Sequence, residues 1–288
     1  MTRKRELRSA PATSDQHPFG DFIQNRLGKK NVQSVRKLFS LYDAMQGATG
    51  QTKLIDAICD MQEFVDGNLQ KWPKLLGGNV TPFSTFRGAF LEEVTLLAAR
   101  YTVKQSNLGH DLEVTKLATG AGLVSGLSLA YRRGKLGNQV PLVLRRDRED
   151  VIVGFRRSLV LAGSDGAQAV FRDEIIPICI IACKIYVDAT RLENVLAKAK
   201  NLYAHYATSS FLVVAEWDAL GHDWHDDQGR VLDSLFAPVE AMVFLRGEEA
   251  RRPPNAALKK ESMKNPYQRQ QIKAVIHHIE SAIQSWAE

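Results

Sequence analysis

Cysteine is scarce in this 288-residue chain: Cys59, Cys179 and Cys183 are all it has. So sparse and odd a set excludes a disulfide framework and points to reduced thiols. Cys179 and Cys183 stand four apart in an apolar run that reads as a strand. That is a poor zinc spacing, so buried thiols are expected. Long hydrophobic runs are missing too. No stretch of about 18 apolar residues occurs, which excludes a membrane-spanning helix. The basic N-terminus has no apolar h-region, so it does not read as a secretory signal. Gly120–Gly126 is glycine-rich but has no lysine and follows no strand, which argues against a phosphate loop. There is no internal repeat.

Charge of one sign is lacking over most of the chain. Residues 1–37 hold nine basic side chains (Arg3, Lys4, Arg5, Arg8, Arg26, Lys29, Lys30, Arg36, Lys37) against Glu6, Asp15 and Asp21, so the whole formal charge of +6 sits there. A uniformly basic coat is excluded. A basic leading segment on a neutral globule either meets a polyanionic partner or is a solvated terminus.

What is present is an ordinary globular composition, 44% hydrophobic and 24% charged, enough for one large domain or two small ones. Residues 1–17 have no apolar period and read as a flexible basic arm. Val35, Leu38, Phe39, Leu41 and Tyr42 recur at helical spacing, as do Leu54, Ile55, Ile58, Met61, Phe64 and Val65, with Gly67 closing the second helix. Residues 18–82 are therefore expected to be a helical region, ended by Gly77-Gly78-Asn79 and Pro82. A helix over Phe86–Tyr101 follows, then turns at Gly120–Gly126 and Gly134–Asn138. Val140–Arg146, Val151–Gly154, Ser158–Ala162 and Ile175–Lys184 read as strands. Leu192–Tyr206 reads as a helix, Phe211–Glu216 and Val239–Leu245 as strands, and residues 218–236 as a polar loop. Asn265 and Pro266 look like the cap and first residue of a last helix. Its stripe of Ile272, Val275, Ile276, Ile279, Ile283 and Trp286 serves either the core or a dimer face. The expected fold is α/β (α+β): a mixed central sheet flanked by helices, over residues 83–288.

Asp150 directly precedes the buried strand Val151–Gly154. Further on, Ile175–Cys183 is almost wholly apolar, the mark of a central strand covered on both faces, and Lys184 ends it. Strand period two puts Ile178, Ile180, Ala182 and Lys184 on one face. A lysine leaving a buried strand beside an acid on another strand is an unusual arrangement.

The order of acid, strand, Ala182-Cys183-Lys184 and helix resembles the PD-(D/E)XK nuclease superfamily. More closely, it resembles restriction endonucleases of the BbvCI type. The resemblance runs from Asp150 through Arg191-Leu192-Glu193, Phe211–Glu216 and Val243–Arg246 to the final helix, with Leu91-Glu92-Glu93 upstream. It implies a Mg²⁺-dependent enzyme cutting double-stranded DNA in the bacterial cytoplasm, as a homodimer or with a homologous subunit. By the same resemblance Asp150 bridges metal and phosphate, the Cys183 carbonyl is a further ligand, and Lys184 orients the attacking water. Glu92 is the outer acid, with Glu93 its rival because Phe90, Glu93, Val94 and Leu97 share a helix face. The family's second metal-binding acid falls at position 182, where this chain has Ala182, and a methyl group ligates nothing. Three explanations compete: an acid-to-alanine inactivation, a naturally silent subunit, or an acid displaced to Glu193 or Glu174. Impaired hydrolysis is expected in any case.

Arg132-Arg133, Arg145-Arg146 and Arg156-Arg157 are basic pairs near turns or strand starts. In a nuclease they are candidates for phosphate or guanine contacts; in another protein they are solvated. His222-Asp223-Trp224-His225-Asp226-Asp227 reads as a polar loop rather than a metal site, for want of a third ligand at a suitable spacing. His277-His278 read as helix-surface residues.

Overall fold

The computed structural model describes residues 17–30, 32–77, 80–108, 112–116, 123–129, 142–147, 150–162, 168–204, 206, 209–220, 239–247, 250 and 265–287; for 80–83, 123–129, 142–147, 158–162 and 168–174 it describes the backbone alone. The chain opens with α1 (Pro18–Leu27), α2 (Gln33–Gln46), α3 (Gln51–Gly67) and the single turn α4 (Trp72–Leu75), as the apolar spacing of residues 18–82 predicts. Pro18 starts α1, where its missing N–H costs nothing. Phe19, Ile23 and Leu27 form the buried stripe of that helix.

The long helix α5 (Val80–Gln105) begins a turn and a half before the predicted Phe86. Pro82 lies in its first turn, where a proline is tolerated. Every residue from Glu93 to Ala99 is buried, because α5 is covered on several sides. Phe19 meets Phe86 and Phe90 with ring centroids 5.1 and 5.2 Å apart, joining α1 to α5. The opposite side of α5 lies on the sheet.

That sheet has five strands in the order β1-β4-β5-β6-β7. They are β1 (Leu112–Thr115), β4 (Val151–Ala162), β5 (Gln168–Val187), β6 (Ser210–Asp218) and β7 (Ala241–Phe244). β1, β4 and β5 run antiparallel, while β5, β6 and β7 are parallel, with α6 (Ala189–Tyr203) crossing from β5 to β6. A separate antiparallel ribbon pairs β2 (Leu123–Leu129) with β3 (Leu142–Asp147). The last helix, α7 (Arg269–Ala287), packs beside α5. Cys179, Ile181, Cys183, Leu212 and Val214 face α5 and α7, whereas Ile180, Ala182, Val213 and Ala215 face Leu192, Val195 and Ala199 of α6. The mixed α+β architecture is thus the expected one.

Several expectations need correction. Val151–Gly154 and Ser158–Ala162 are one strand, because Phe155–Arg157 continue the β4 ladder. Leu123–Gly126 belong to β2 rather than to a turn. Pro266 does not start the last helix. Tyr267 N–H is held by Gln62 Oε1 at 2.9 Å and Gln268 N–H by the Leu245 carbonyl at 2.7 Å, which keeps this stretch out of the helix until Arg269. The apolar stripe of α7 is core from Ile272 to Ile283, but Trp286 is 42% exposed, its ring 4.4 Å from that of Phe155.

Candidate active site

Two central strands bring Asp150 and Lys184 together. β4 and β5 are antiparallel with Val151 opposite Ile181 and Ile152 opposite Ile180. Asp150 and Ala182 are the next residues beyond that pair. Cys183 N–H donates to Asp150 Oδ2 at 2.7 Å, and Lys184 Nζ donates to the same oxygen at 3.2 Å and to the Cys183 carbonyl at 3.0 Å. Asp150 and Lys184 are each 28% exposed, so their polar ends open to solvent at the mouth of a buried strand pair. A carboxylate, an ammonium and both backbone groups of Cys183 therefore meet at one point.

Cys183 enters through its backbone. Its Sγ turns to the other face of the sheet and meets Thr95 Oγ1 of α5 at 3.4 Å. Burial pushes this thiol up to about 12, helped by the Asp150 charge and opposed by the Thr95 contact, Lys184 and Lys116. It is neither a thiolate ligand nor a nucleophile at neutral pH.

The structure separates the rival glutamates. Glu93 is fully buried and accepts from His17 Nδ1 at 2.9 Å, Phe19 N–H at 3.1 Å and Gln46 Nε2 at 2.6 Å. It ties α1 and α2 to α5. Glu92 is 21% exposed and pairs with Lys116. Lys116 directly follows β1, whose Thr115 faces Ile152, so the pair stands beside the Asp150 end of β4. Sequence reasoning missed Lys116. The alternation in Leu112-Glu113-Val114-Thr115-Lys116 was its only signal, and four residues of strand are a faint one.

Ala182 is 1% exposed among Ile152, Ile180, Leu192, Val195 and Val213. Neither substitute acid is brought to it. Glu174 faces Arg157 at the far end of β4, about ten strand residues, or roughly 33 Å, from Lys184. Glu193 is exposed on α6, beside the buried Leu192.

Arg156 is committed to Glu113 of β1, with Nε 2.8 Å from Oε1 and Nη2 2.5 Å from Oε2. Arg157 is exposed, its guanidinium 5.1 Å from the Phe155 ring centroid. Both stand about six residues, roughly 20 Å, along β4 from Asp150. Arg145 and Arg146 lie on β3 facing Gly126 and Val124; their side chains, Arg132-Arg133, residues 1–16 and the His222–Asp227 motif are outside the described residues.

Mg²⁺ prefers six oxygens near 2.1 Å, typically with one or two carboxylates. Here one oxygen of Asp150 already accepts two hydrogen bonds, the Cys183 carbonyl accepts from Lys184, Glu92 is paired with Lys116, and position 182 offers a methyl. Among the described residues no group of three His, Cys, Asp or Glu side chains could hold a metal ion. This donor set does not fit the metal.

The mixed sheet, the crossover through α6 and the acid–lysine mouth make the fold that of a restriction-endonuclease-like core. A chain of a solved structure described as the native BbvCI A2B2 tetramer at low resolution is similar, with a TM-score of 0.63 and 13% identity over 92% of this chain and 95% of that one. At that identity the likeness shows the fold. No family model matches the chain, and no curated protein does.

Proposed function

We propose that this chain is a type II restriction endonuclease subunit that engages double-stranded DNA at a short specific sequence, with its own hydrolytic centre impaired at Ala182. The meeting of Asp150, Lys184 and the Cys183 backbone at the mouth of β4 and β5 carries this reading. Breaking a phosphodiester requires a water ionised near neutral pH and neutralisation of charge on the phosphorane, which a divalent metal supplies. Lys184 offers a compact ammonium to a phosphate oxygen, and Asp150 positions it. β3, with Arg145 and Arg146, ends at Asp147. Three residues span at most about 11 Å, so the ribbon adjoins the mouth, and a two-stranded ribbon is one of the elements a major groove admits. One centre of this kind cuts one strand, so a second copy or a homologous partner completes the enzyme, and it works on DNA in the bacterial cytoplasm. No described helix is long and apolar enough to cross a membrane.

Position 182 decides catalysis. Its neighbour Ile181 pairs with Val151, the residue after Asp150, and facing residues on antiparallel strands have Cβ atoms about 5 Å apart, so a side chain at 182 would come close to that of Asp150. An acid there would give a metal two adjacent carboxylates; its loss costs roughly a thousandfold in rate. The close packing of Ala182 supports a second reading, a naturally non-catalytic DNA-binding subunit of a heterodimeric nuclease. Incubating plasmid DNA and Mg²⁺ with the parent and with Ala182→Glu tests both. Discrete fragments from the variant alone support an inactivated endonuclease. No cutting by either, with the variant shown by circular dichroism to be folded, favours the silent subunit. Cutting by the parent that disappears in Glu193→Ala would move the missing acid to α6 and overturn the impairment.

A further inference from the structure

We propose that Lys184 is a built-in cation that lets this chain hold a DNA phosphate at the Asp150 mouth without a divalent metal. The inference rests on the reading that duplex DNA is the partner. It follows from the misfit between the donor set and Mg²⁺.

Two of the oxygens at the mouth are Asp150 Oδ2 and the Cys183 carbonyl. Lys184 Nζ sits between them, 3.2 and 3.0 Å away. A divalent ion held by these two oxygens would compete with the ammonium for them. Two of the three ammonium hydrogens are directed by these contacts, and the third is available to a phosphate oxygen at a residue 28% exposed.

Charge leads to the same conclusion. A site with carboxylates at both 150 and 182 would repel a phosphodiester until a metal neutralised it. Here two carboxylates among the described residues near the mouth are matched: Asp150 by Lys184 and Glu92 by Lys116. The approaching phosphate meets these two ammonium groups, each beside its own carboxylate, and Ala182 adds no charge.

Duplexes selected by the parent chain from a pool with a randomised centre are the probe. Their affinities are measured in EDTA and in Ca²⁺ at equal ionic strength, so that screening is constant. The parent is expected to bind with dissociation constants that agree within about twofold in the two buffers. Lys184→Ala, checked for folding by circular dichroism, is expected to lose at least about tenfold in EDTA and to recover most of it in Ca²⁺, because the ion replaces the missing ammonium at Asp150. Lys184→Arg should retain binding in EDTA. Ala182→Glu should bind only in Ca²⁺, but burying an acid among apolar neighbours can unfold it, so the Lys184 variants decide. A parent that binds about tenfold tighter in Ca²⁺, or a Lys184→Ala loss that is equal in both buffers, overturns the proposal and leaves DNA binding intact. A parent that selects no duplex in either buffer defeats the DNA-binding reading itself.

Discussion

Glu92 and Glu93 show how much one position along a helix decides. Neighbours in sequence point about 100° apart, so the pair divides between a helix–helix contact and the sheet end. Glu93→Ala should leave His17, Phe19 N–H and Gln46 without their acceptor and lower unfolding stability by about 3 kcal/mol. Glu92→Ala should change it by less than about 1 kcal/mol, since its pair is partly exposed. Urea denaturation of both variants checks this, and equal losses would contradict it. The Cys183 thiol gives a second prediction. Unfolded cysteine ionises near 8.5, whereas the folded thiol does so at about 12. Its contribution is fully present below the unfolded value and is lost as pH rises towards the folded one. At about pH 10 the loss is about 2 kcal/mol, and Cys183→Ala should remove that part of the alkaline decline in the urea midpoint. Because Cys183 serves the mouth through its N–H and C=O, the variant should leave the proposed DNA binding unchanged. Asp150 and Lys184 were legible in the sequence because an acid before one apolar run and a lysine ending another need only strand periodicity to place them. Helical facing identified Glu93 as turned inward, but not its His17 and Gln46 partners, which come from other helices.

At the level of elements, legibility followed hydrophobic contrast. The continuous apolar run of β5 and the periodic stripes of α2, α3 and α7 announce themselves. β2 does not, because Gly126 and Ser128 interrupt it, and tertiary pairing with β3 decides its state. Pro266 failed as a helix start because Gln62 and Leu245 hold the chain before Arg269. Gly154 is the sensitive point of the β4–β5 pair. The register shifts there, opposite Pro177, as expected for a proline inside a sheet. A Cβ on Gly154 would stand 2.3 Å from the Ile176 carbonyl oxygen and 2.9 Å from Pro177 Cα. Gly154→Ala should therefore cost about 1–3 kcal/mol and strain the ladder that aligns Asp150 with Cys183. Lowered urea stability together with weakened DNA binding is the expected result; unchanged stability would mean that the strands separate without penalty.

Across the whole molecule, one buried charge cluster joins the first helices to the last strand. Arg246, just after β7, reaches Asp66 of α3 at 2.7 Å, Glu216 of β6 at 3.2 Å and the Asn265 carbonyl at 2.6 Å, and lies between the rings of Trp217 and Tyr267. Arg87 of α5 also pairs with Glu216. Burial alone would raise the Glu216 carboxyl, but the two guanidiniums outweigh it and hold the group low; Asp66, also buried, is only partly offset and stays raised. Arg246→Met would take from Asp66 its ion pair and leave Glu216 with Arg87 alone, and should cost about 3–5 kcal/mol, seen as a fall in thermal midpoint. If the variant melts with the parent, the cluster is dispensable. No sequence pattern announces it, because Asp66 and Arg246 are 180 positions apart. That separation sets an order of events during synthesis. Asp66 leaves the ribosome 180 residues before its partner Arg246, and Gln62 leaves it 205 residues before Tyr267. A nascent or truncated chain that lacks Arg246 and Tyr267 leaves Asp66 and Gln62 of α3 without these partners, so this tie between α3 and the end of the sheet forms only after Tyr267 is made.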